Sequence, residues 1–155
     1  AIRPFEPEDA AGVAHVLKRN FLEINTQDYP LEQMQALVEE YTPEKILSQA
    51  AYAQTYVAEL GDTIIGTAAV SPYFGSQTQS VVLTYFVLPD YQGNGIGYKL
   101  YQHLKEEPVY LRATEILVSA SRTARPFYEK LGYLVADATS PEDEHGYIQM
   151  KKIRE

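Results

Sequence analysis

The stretch "YFVLPDYQGNGIGYKLYQHLKEE", residues 85–107, joins an apolar run to a helical pattern through three alternating glycines, Gly93, Gly95 and Gly97. Glycine is the costliest residue to order and contributes no side chain to packing, so three of them require a reason. A glycine-rich turn between a strand and a helix exposes amide N–H groups at the positive end of the helix dipole. The stretch therefore predicts a site for a phosphate or pyrophosphate.

Two common phosphate-binding loops do not fit this stretch. A P-loop ends in Gly-Lys-Ser/Thr, but Gly97 is followed by Tyr98 and Lys99. The Rossmann fingerprint requires a third glycine where Tyr98 stands. Glu115 does lie about 20 residues further on, where that fingerprint has an acid, but it falls inside a predicted strand that follows four others. A plain flexible turn is the remaining alternative, and it does not require three alternating glycines.

The rest of the chain alternates between the helical and the strand period. Helices are predicted over residues 7–24, 31–41, 43–50, 96–104 and 123–131. Strands are predicted near the start, over 54–60, 63–70, 80–88 and 113–120, and over 133–138 and 146–153. The order is β-α-α-α-β-β-β-α-β-α-β-β, which indicates a mixed sheet with helices on its faces.

The hexapeptide "QGNGIG", residues 92–97, matches the pattern Gln/Arg-x-x-Gly-x-Gly/Ala. In its setting the chain resembles the GNAT superfamily of acyl-CoA-dependent N-acetyltransferases. "IRPFEPEDA" is similar to the first strand and helix start of that superfamily, "ARPFYEKLGY" to its second conserved motif, and "YIQMKK" to its last strand. The resemblance covers nearly the whole chain. It implies one α/β domain over residues 1–155, with a central mixed sheet of about seven strands, splayed near the middle and flanked by four to five helices.

Composition narrows the function classes. The 155 residues contain no cysteine and carry a net charge of -8, which excludes disulfides and thiolate metal sites and argues against a nucleic-acid partner. No apolar run approaches the roughly 18 residues that a membrane span needs. The three histidines are scattered, so no metal site is predicted. We expect a cytoplasmic protein with no membrane partner and no metal.

The resemblance also implies a donor site for acetyl-CoA as co-substrate. Amides of the glycine loop would cradle the coenzyme A pyrophosphate, and the pantetheine arm would add like an extra strand at the end of the preceding strand. Ser121 stands where the family often has an asparagine that contacts the coenzyme. The implied coenzyme contacts are Phe86, Val87, Leu88, Gln92, Gly93, Asn94, Gly95, Ile96, Gly97, Tyr98 and Ser121.

Tyr128, in "FYEKLGY", matches the family tyrosine that often supplies the proton to the leaving thiolate. A phenol with a pKa near 10 is protonated at neutral pH and can donate. The alternative is packing, because Ala124, Tyr128 and Leu131 share one helix face. A general base is missing: the strand "SVVLTYFV" has no carboxylate, and Glu23 and His145 are unanchored candidates.

The implied reaction is acetyl transfer to an amine by direct attack in a ternary complex. The acceptor is an unidentified small-molecule or peptide amine, and dimers are common in the superfamily. Residues 20–31 are expected to form one acceptor wall, with Asp28 and Tyr29 as contacts, and the loop "TSPEDEHG" another. Because the strand carboxylate is missing, a non-catalytic acyl-CoA-binding sensor or interaction module is the alternative.

Overall fold

The computed structural model describes residues 1–154, which form a seven-stranded sheet and six α-helices. The strands are β1 (Ile2–Pro4), β2 (Gln54–Leu60), β3 (Thr63–Pro72), β4 (Gln79–Val87), β5 (Glu115–Ala120), β6 (Leu134–Val135) and β7 (Ile148–Ile153). The helices are α1 (Ala10–Glu23), α2 (Leu31–Glu40), α3 (Pro43–Ala50), α4 (Ile96–Leu104), α5 (Pro108–Leu111) and α6 (Arg125–Lys130). The predicted α/β class and the order of the long elements are confirmed.

The sheet has the strand order β1-β2-β3-β4-β5-β7-β6, and every neighbouring pair is antiparallel except β4 and β5. The parallel pair is short: only Gln79–Val81 pairs with Glu115–Leu117. Beyond Val81 the two strands separate, while β4 stays paired with β3 and β5 with β7. The sheet is therefore splayed at its centre, as predicted, and strand edges inside the sheet face a gap.

Local chemistry explains where several helices begin. The Thr42 hydroxyl accepts a hydrogen bond from the Lys45 amide, and Pro43 occupies the first turn of α3. Pro126 lies at the second position of α6, where its missing N–H would have no partner in any case. One of the six helices was not predicted. It is the four-residue α5, which starts at Pro108, a residue that the sequence pattern placed beyond the end of α4.

The core lies between the sheet and its helices. In α1, Val13, Val16 and Leu17 are fully buried, as their spacing predicts. Helix α1 lies so close to the sheet that a Cβ on Gly12 would come within 2.8 Å of Ile64. The opposite side of the sheet contains a cluster of three buried tyrosines, in which the Tyr101 hydroxyl is hydrogen-bonded to the hydroxyls of Tyr110 and Tyr133.

Strand β6 is shorter than predicted. The pattern indicated a strand over residues 133–138, but pairing with β7 covers only Leu134 and Val135. The Asp137 carboxylate accepts hydrogen bonds from the Thr139 amide and hydroxyl, which turns the chain away from the sheet. Within residues 1–154, no helix is both long and apolar enough to cross a membrane.

Candidate active site

A β-bulge marks the end of β4 that faces the gap in the sheet. Thr67 pairs with Phe86 and Ala69 with Leu83, so Thr84 and Tyr85 together stand opposite one residue of β3. Thr84 has a φ of 44°, a left-handed conformation that a β-branched residue rarely adopts. Its hydroxyl accepts a hydrogen bond of 2.9 Å from the side chain of Gln49 in α3. The bulge turns the second half of β4 away from β5.

The glycine loop presents a row of unpaired amides. Gly93 and Gly95 have φ values of 83° and 79°, which glycine adopts readily, and Gly95 is the residue from which α4 starts. Among the contacts of residues 1–154, the amide N–H groups of residues 93–98 donate to no protein acceptor. A Cβ on either glycine would meet no atom within 4 Å, so this face of the loop is open. The arrangement suits an anion with several oxygen atoms.

Helix α1 holds the loop against the end of β4. The side-chain amide of Asn20 donates to the Val87 carbonyl oxygen over 2.8 Å and to the Val16 carbonyl oxygen over 2.9 Å. The Gln92 side chain donates to the same Val87 oxygen over 3.0 Å and to the Asn20 side-chain oxygen over 3.1 Å. The sequence analysis placed Asn20 at the start of the expected acceptor wall and did not predict this contact, although a polar residue on the apolar face of α1 was a readable signal.

Aromatic side chains support the first turn of α4 from below. The Tyr85 hydroxyl donates a hydrogen bond to the Gly97 carbonyl oxygen. The Phe127 ring packs edge-on against Tyr85, and a Cβ on Gly97 would lie 3.4 Å from it. The third glycine is therefore needed where α4 approaches α6 closely, whereas the first two are needed for their backbone conformation.

These elements surround a cleft of about 420 Å³, here called the large cleft. Nine of the eleven predicted coenzyme residues line it, together with Tyr128. The cleft is also lined by residues that the sequence analysis did not name as coenzyme contacts: Asn20, Ile24, Asn25, Tyr91, Thr123, Ala124 and Phe127. Two predicted residues lie elsewhere. Asn94 is exposed and donates from its side chain to the Tyr91 carbonyl oxygen, and Leu88 is buried.

Leu88 differs from the prediction in its backbone as well. Its amide donates to the Ile65 carbonyl oxygen over 2.8 Å, and its own carbonyl oxygen accepts from the Tyr91 amide over 2.9 Å. Both main-chain groups thus have partners inside the protein. The residue anchors the end of β4 to β3 and does not present a strand edge to the cleft.

Tyr128 lies between the large cleft and the gap in the sheet. Its side chain is 5% exposed, and its ring packs edge-on against Tyr85, Phe127 and Tyr133. Its hydroxyl makes no hydrogen bond with another described residue. Every fully buried polar side-chain atom among the described residues has a hydrogen-bond partner, so this hydroxyl is not fully buried. The hydroxyl therefore opens into the cavity. Burial raises its pKa above the ordinary value, so the phenol holds its proton.

The other candidates from the sequence have local partners. The Ser121 hydroxyl accepts from the Ala124 amide over 3.1 Å, which caps the turn before α6, although the residue also lines the cleft. Glu23 forms a hydrogen-bonded ion pair with Arg19, which lowers its pKa, and it lies outside the cleft. His145 is exposed at a loop tip. Neither of the two candidate bases thus lies at the cleft.

A smaller cavity of about 100 Å³, here called the small chamber, lies in the gap between β4 and β5. It shares a wall with the large cleft, made by Asn25, Tyr85, Phe86, Ser121, Ala124 and Tyr128. Its other lining residues are Phe21, Val82, Thr84, Val118, Ser119 and Tyr147. Tyr128 is therefore one of six residues that line both cavities.

Asp28 and Tyr29 line neither cavity, contrary to expectation. The Asp28 carboxylate accepts from the Thr123 amide and hydroxyl. The Tyr29 ring is buried, stacks on Tyr147, and its hydroxyl donates to the Gly146 carbonyl oxygen over 2.8 Å. Both residues join the α1–α2 segment to the last hairpin loop and to the turn before α6, because their polar groups find partners there.

Arg122 belongs to the same set of contacts between these segments. Its guanidinium lies 4.9 Å from the centre of the Tyr29 ring and forms a two-pronged ion pair with Glu142 at 2.8 and 2.9 Å. The pair lowers the pKa of Glu142. We call the contacts among Asp28, Tyr29, Arg122, Glu142 and Gly146 the rim clamp.

In the part of the chain that the structure describes, no group of three or more metal-ligating side chains is arranged to hold an ion.

Comparison with family models gives one match, to an acetyltransferase (GNAT) domain over residues 25–154. No curated protein matches the sequence significantly.

Solved structures give many matches, of which three illustrate the range. A PaiA N-acetyltransferase from Thermoplasma acidophilum in complex with coenzyme A is 21% identical, with a TM-score of 0.82 over 99% of this chain and 98% of the other. A GCN5-related N-acetyltransferase from Rhodopseudomonas palustris is 25% identical, with a TM-score of 0.78 over 99% and 95%. An aminoglycoside 6'-N-acetyltransferase complexed with coenzyme A is 18% identical, with a TM-score of 0.73 over 99% and 96%. At such identities the likeness establishes the fold.

Proposed function

This chain belongs to the GNAT acetyltransferase family, and from that premise we propose that it transfers the acetyl group of acetyl-CoA to the amine of a small molecule or peptide by direct attack in a ternary complex. The observation that carries the proposal is that the Tyr128 side chain lines both cavities. One cavity begins at the open amides of the glycine loop, and the other lies in the gap between β4 and β5. A donor and an acceptor can therefore meet at one proton-bearing hydroxyl.

The residues of the large cleft suit acetyl-CoA. Bound there, the co-substrate supplies a thioester carbonyl for the amine to attack. The amides of residues 93–98 would hold its pyrophosphate, since they have no protein acceptor and lie at the start of α4. Asn20 and Gln92 occupy the Val87 carbonyl oxygen, which fixes the end of β4 beside the loop. We expect Phe86 and Val87, which line the cleft, to meet the pantetheine arm.

Tyr128 would donate a proton to the leaving sulfur atom. Burial favours its neutral form, and no protein acceptor competes for its hydrogen. Preorganised donors near a developing negative charge are among the larger contributions to catalysis. The Tyr85 ring packs edge-on against Tyr128 and helps to fix its orientation.

A second function, a non-catalytic acyl-CoA-binding module, is favoured by one observation. The lining of both cavities contains no carboxylate that could take a proton from an ammonium group. Such a module would bind acyl-CoA through the glycine loop and the large cleft but would not catalyse acetyl transfer.

The two functions are separated by measuring binding and turnover on the same sample. Acetyl-CoA affinity is measured by calorimetry, and free thiol is followed with a chromogenic reagent in the presence of a broad panel of primary amines. We expect binding together with amine-dependent thiol release. Binding without release for any amine would support the binding module, and absence of binding would exclude both.

A further inference from the structure

The lining of the small chamber carries no formal charge. Its twelve residues include five aromatic side chains, among them Phe21 and Tyr147, and neutral polar groups such as Thr84 and Ser119. Burial raises the pKa of its three tyrosines, that of Tyr147 to about 12, so all three are neutral at pH 7. A cation that enters this chamber meets no compensating charge.

Three acidic residues of the α1–α2 segment and the last hairpin loop line neither cavity and have partners in the protein. Asp28 accepts two hydrogen bonds from Thr123, and Glu142 is paired with Arg122. The Asp143 carboxylate accepts from the amides of His145 and Tyr147 and from the Gln149 side chain. These contacts hold the rim clamp and the hairpin loop together.

The chamber is also small. A dry, engineered cavity of about 150 Å³ accommodates benzene, whereas this chamber measures about 100 Å³. It therefore admits an amino group with a few carbon atoms, and a sugar ring or the rest of a long polyamine would have to lie outside it.

We propose that the acceptor is a small, weakly basic primary amine, which enters the chamber as the neutral free base. The proposal rests on the proposed function, and it names the chemical class of the acceptor.

The physical reason is desolvation. An ammonium group loses its hydration when it enters an uncharged site, and the aromatic rings and hydroxyls of the chamber repay only part of the loss because no carboxylate faces it. An amine like that of lysine, with a pKa of about 10.4, is almost wholly protonated at pH 7, whereas a weakly basic amine is largely neutral. Without a carboxylate in the chamber, the protein favours acceptors that need no deprotonation before attack.

The proton balance is simple for such an acceptor. The nitrogen lone pair forms the bond to the acetyl carbon as the carbon–sulfur bond breaks. The nitrogen releases one proton to solvent, and the sulfur takes one from Tyr128, which recovers it from solvent. The products are the amide and the free thiol.

The test compares 2,2,2-trifluoroethylamine, ethylamine and putrescine, three small primary amines that differ in basicity and charge. At pH 7 we expect kcat/KM for trifluoroethylamine to exceed both others at least tenfold. Between pH 6 and 9, kcat/KM for ethylamine should rise about tenfold per pH unit, because only its free base reacts. A plateau near pH 7 for ethylamine would instead indicate a protein base that accepts the cation, and it would overturn the proposal.

A matched pair of variants tests the missing charge directly. Thr84→Asp places a carboxylate in the chamber, and Thr84→Asn is its neutral counterpart. Both residues tolerate the left-handed backbone of position 84 better than threonine does. We expect Thr84→Asp alone to shift the preference toward ethylamine by tenfold or more. An equal shift in both variants would contradict the charge argument, and if neither folds, the wild-type pH profiles still decide.

Failure of the proposal is distinguishable from failure of the proposed function. Turnover with ethylamine or putrescine as the preferred acceptor would overturn the acceptor class alone. Acetyl-CoA binding without turnover of any amine would overturn both.

Discussion

The side-chain amide of Asn20 lies 2.8 Å from the carbonyl oxygen of Val87 and joins α1 to the end of β4. The two residues are 67 positions apart, and the Gln92 side chain reaches the same oxygen over 3.0 Å. Asn20 is itself buried. One amide group thus fixes the strand end, the helix and the glycine loop relative to one another.

Asn20→Leu should weaken both folding and coenzyme binding. The change removes the hydrogen bonds of Asn20 to the Val87 and Val16 carbonyl oxygens and the one it accepts from Gln92, while Gln92 keeps its bond to Val87. Each lost hydrogen bond costs about 0.5–1.5 kcal/mol. Urea unfolding and calorimetry with acetyl-CoA measure the two effects. Asn94→Ala is the control, since Asn94 is exposed and bonds only to Tyr91. Equal effects in the two variants would deny Asn20 this role.

Substitution of Gly95 should depend on backbone conformation and not on size. A Cβ would meet nothing within 4 Å, but the φ of 79° costs an ordinary residue about 1–2 kcal/mol. We expect Gly95→Val to abolish coenzyme binding and Gly95→Asn to retain part of it, because asparagine tolerates this conformation. Retained affinity in Gly95→Val would refute the pyrophosphate assignment.

Tyr128→Phe should lower kcat about a hundredfold and change acetyl-CoA affinity within a few fold. The ring contacts remain and no hydrogen bond is lost, so stability should hardly change. Tyr133→Phe provides the opposite case, because its hydroxyl is buried and bonded to Tyr101. It should lower stability and spare kcat. Parallel losses of kcat and affinity in Tyr128→Phe would make Tyr128 structural.

Stability should fall at alkaline pH. Nine of the thirteen tyrosines have a raised pKa in the folded protein, mainly through burial. The unfolded chain loses these protons near pH 10, and the folded chain, with Tyr56 and Tyr147 at about 12, loses them later. The stabilisation is complete below pH 10 and is lost above it. Urea midpoints between pH 7 and 11.5 should therefore be level and then drop; a level curve throughout would exclude this contribution.

Arg122→Ala should loosen the last hairpin loop without unfolding the protein. Arg122 bridges Glu142, the Tyr29 ring and the Asp28 carbonyl oxygen, whereas Arg125 has a similar exposure and pairs only with Glu129. Hydrogen exchange of residues 137–147 should accelerate in Arg122→Ala and not in Arg125→Ala, with urea midpoints nearly unchanged in both. Identical exchange in the two variants would show that the rim clamp does not depend on Arg122.

Local sequence rules were sufficient for the long elements and for the glycine loop. The glycine spacing at residues 93–97 specifies positive φ angles and a helix start, which are properties of neighbouring residues. The same holds for Thr42 and Pro43 at the start of α3. Short elements were harder: α5 and the two-residue β6 depend on a proline and on an Asp137 turn that compete with weak periodicity.

The sequence by itself thus determined the fold class and the glycine loop at which we propose that a phosphate-bearing donor binds, because both follow from patterns within a few residues. Only the tertiary structure decided what surrounds the proposed acceptor site. The uncharged chamber combines residues of α1, β4, β5, α6 and the last loop, and the expected contact Tyr29 went into the rim clamp. The burial and partners of such groups depend on neighbours up to 117 positions away, which no local pattern encodes.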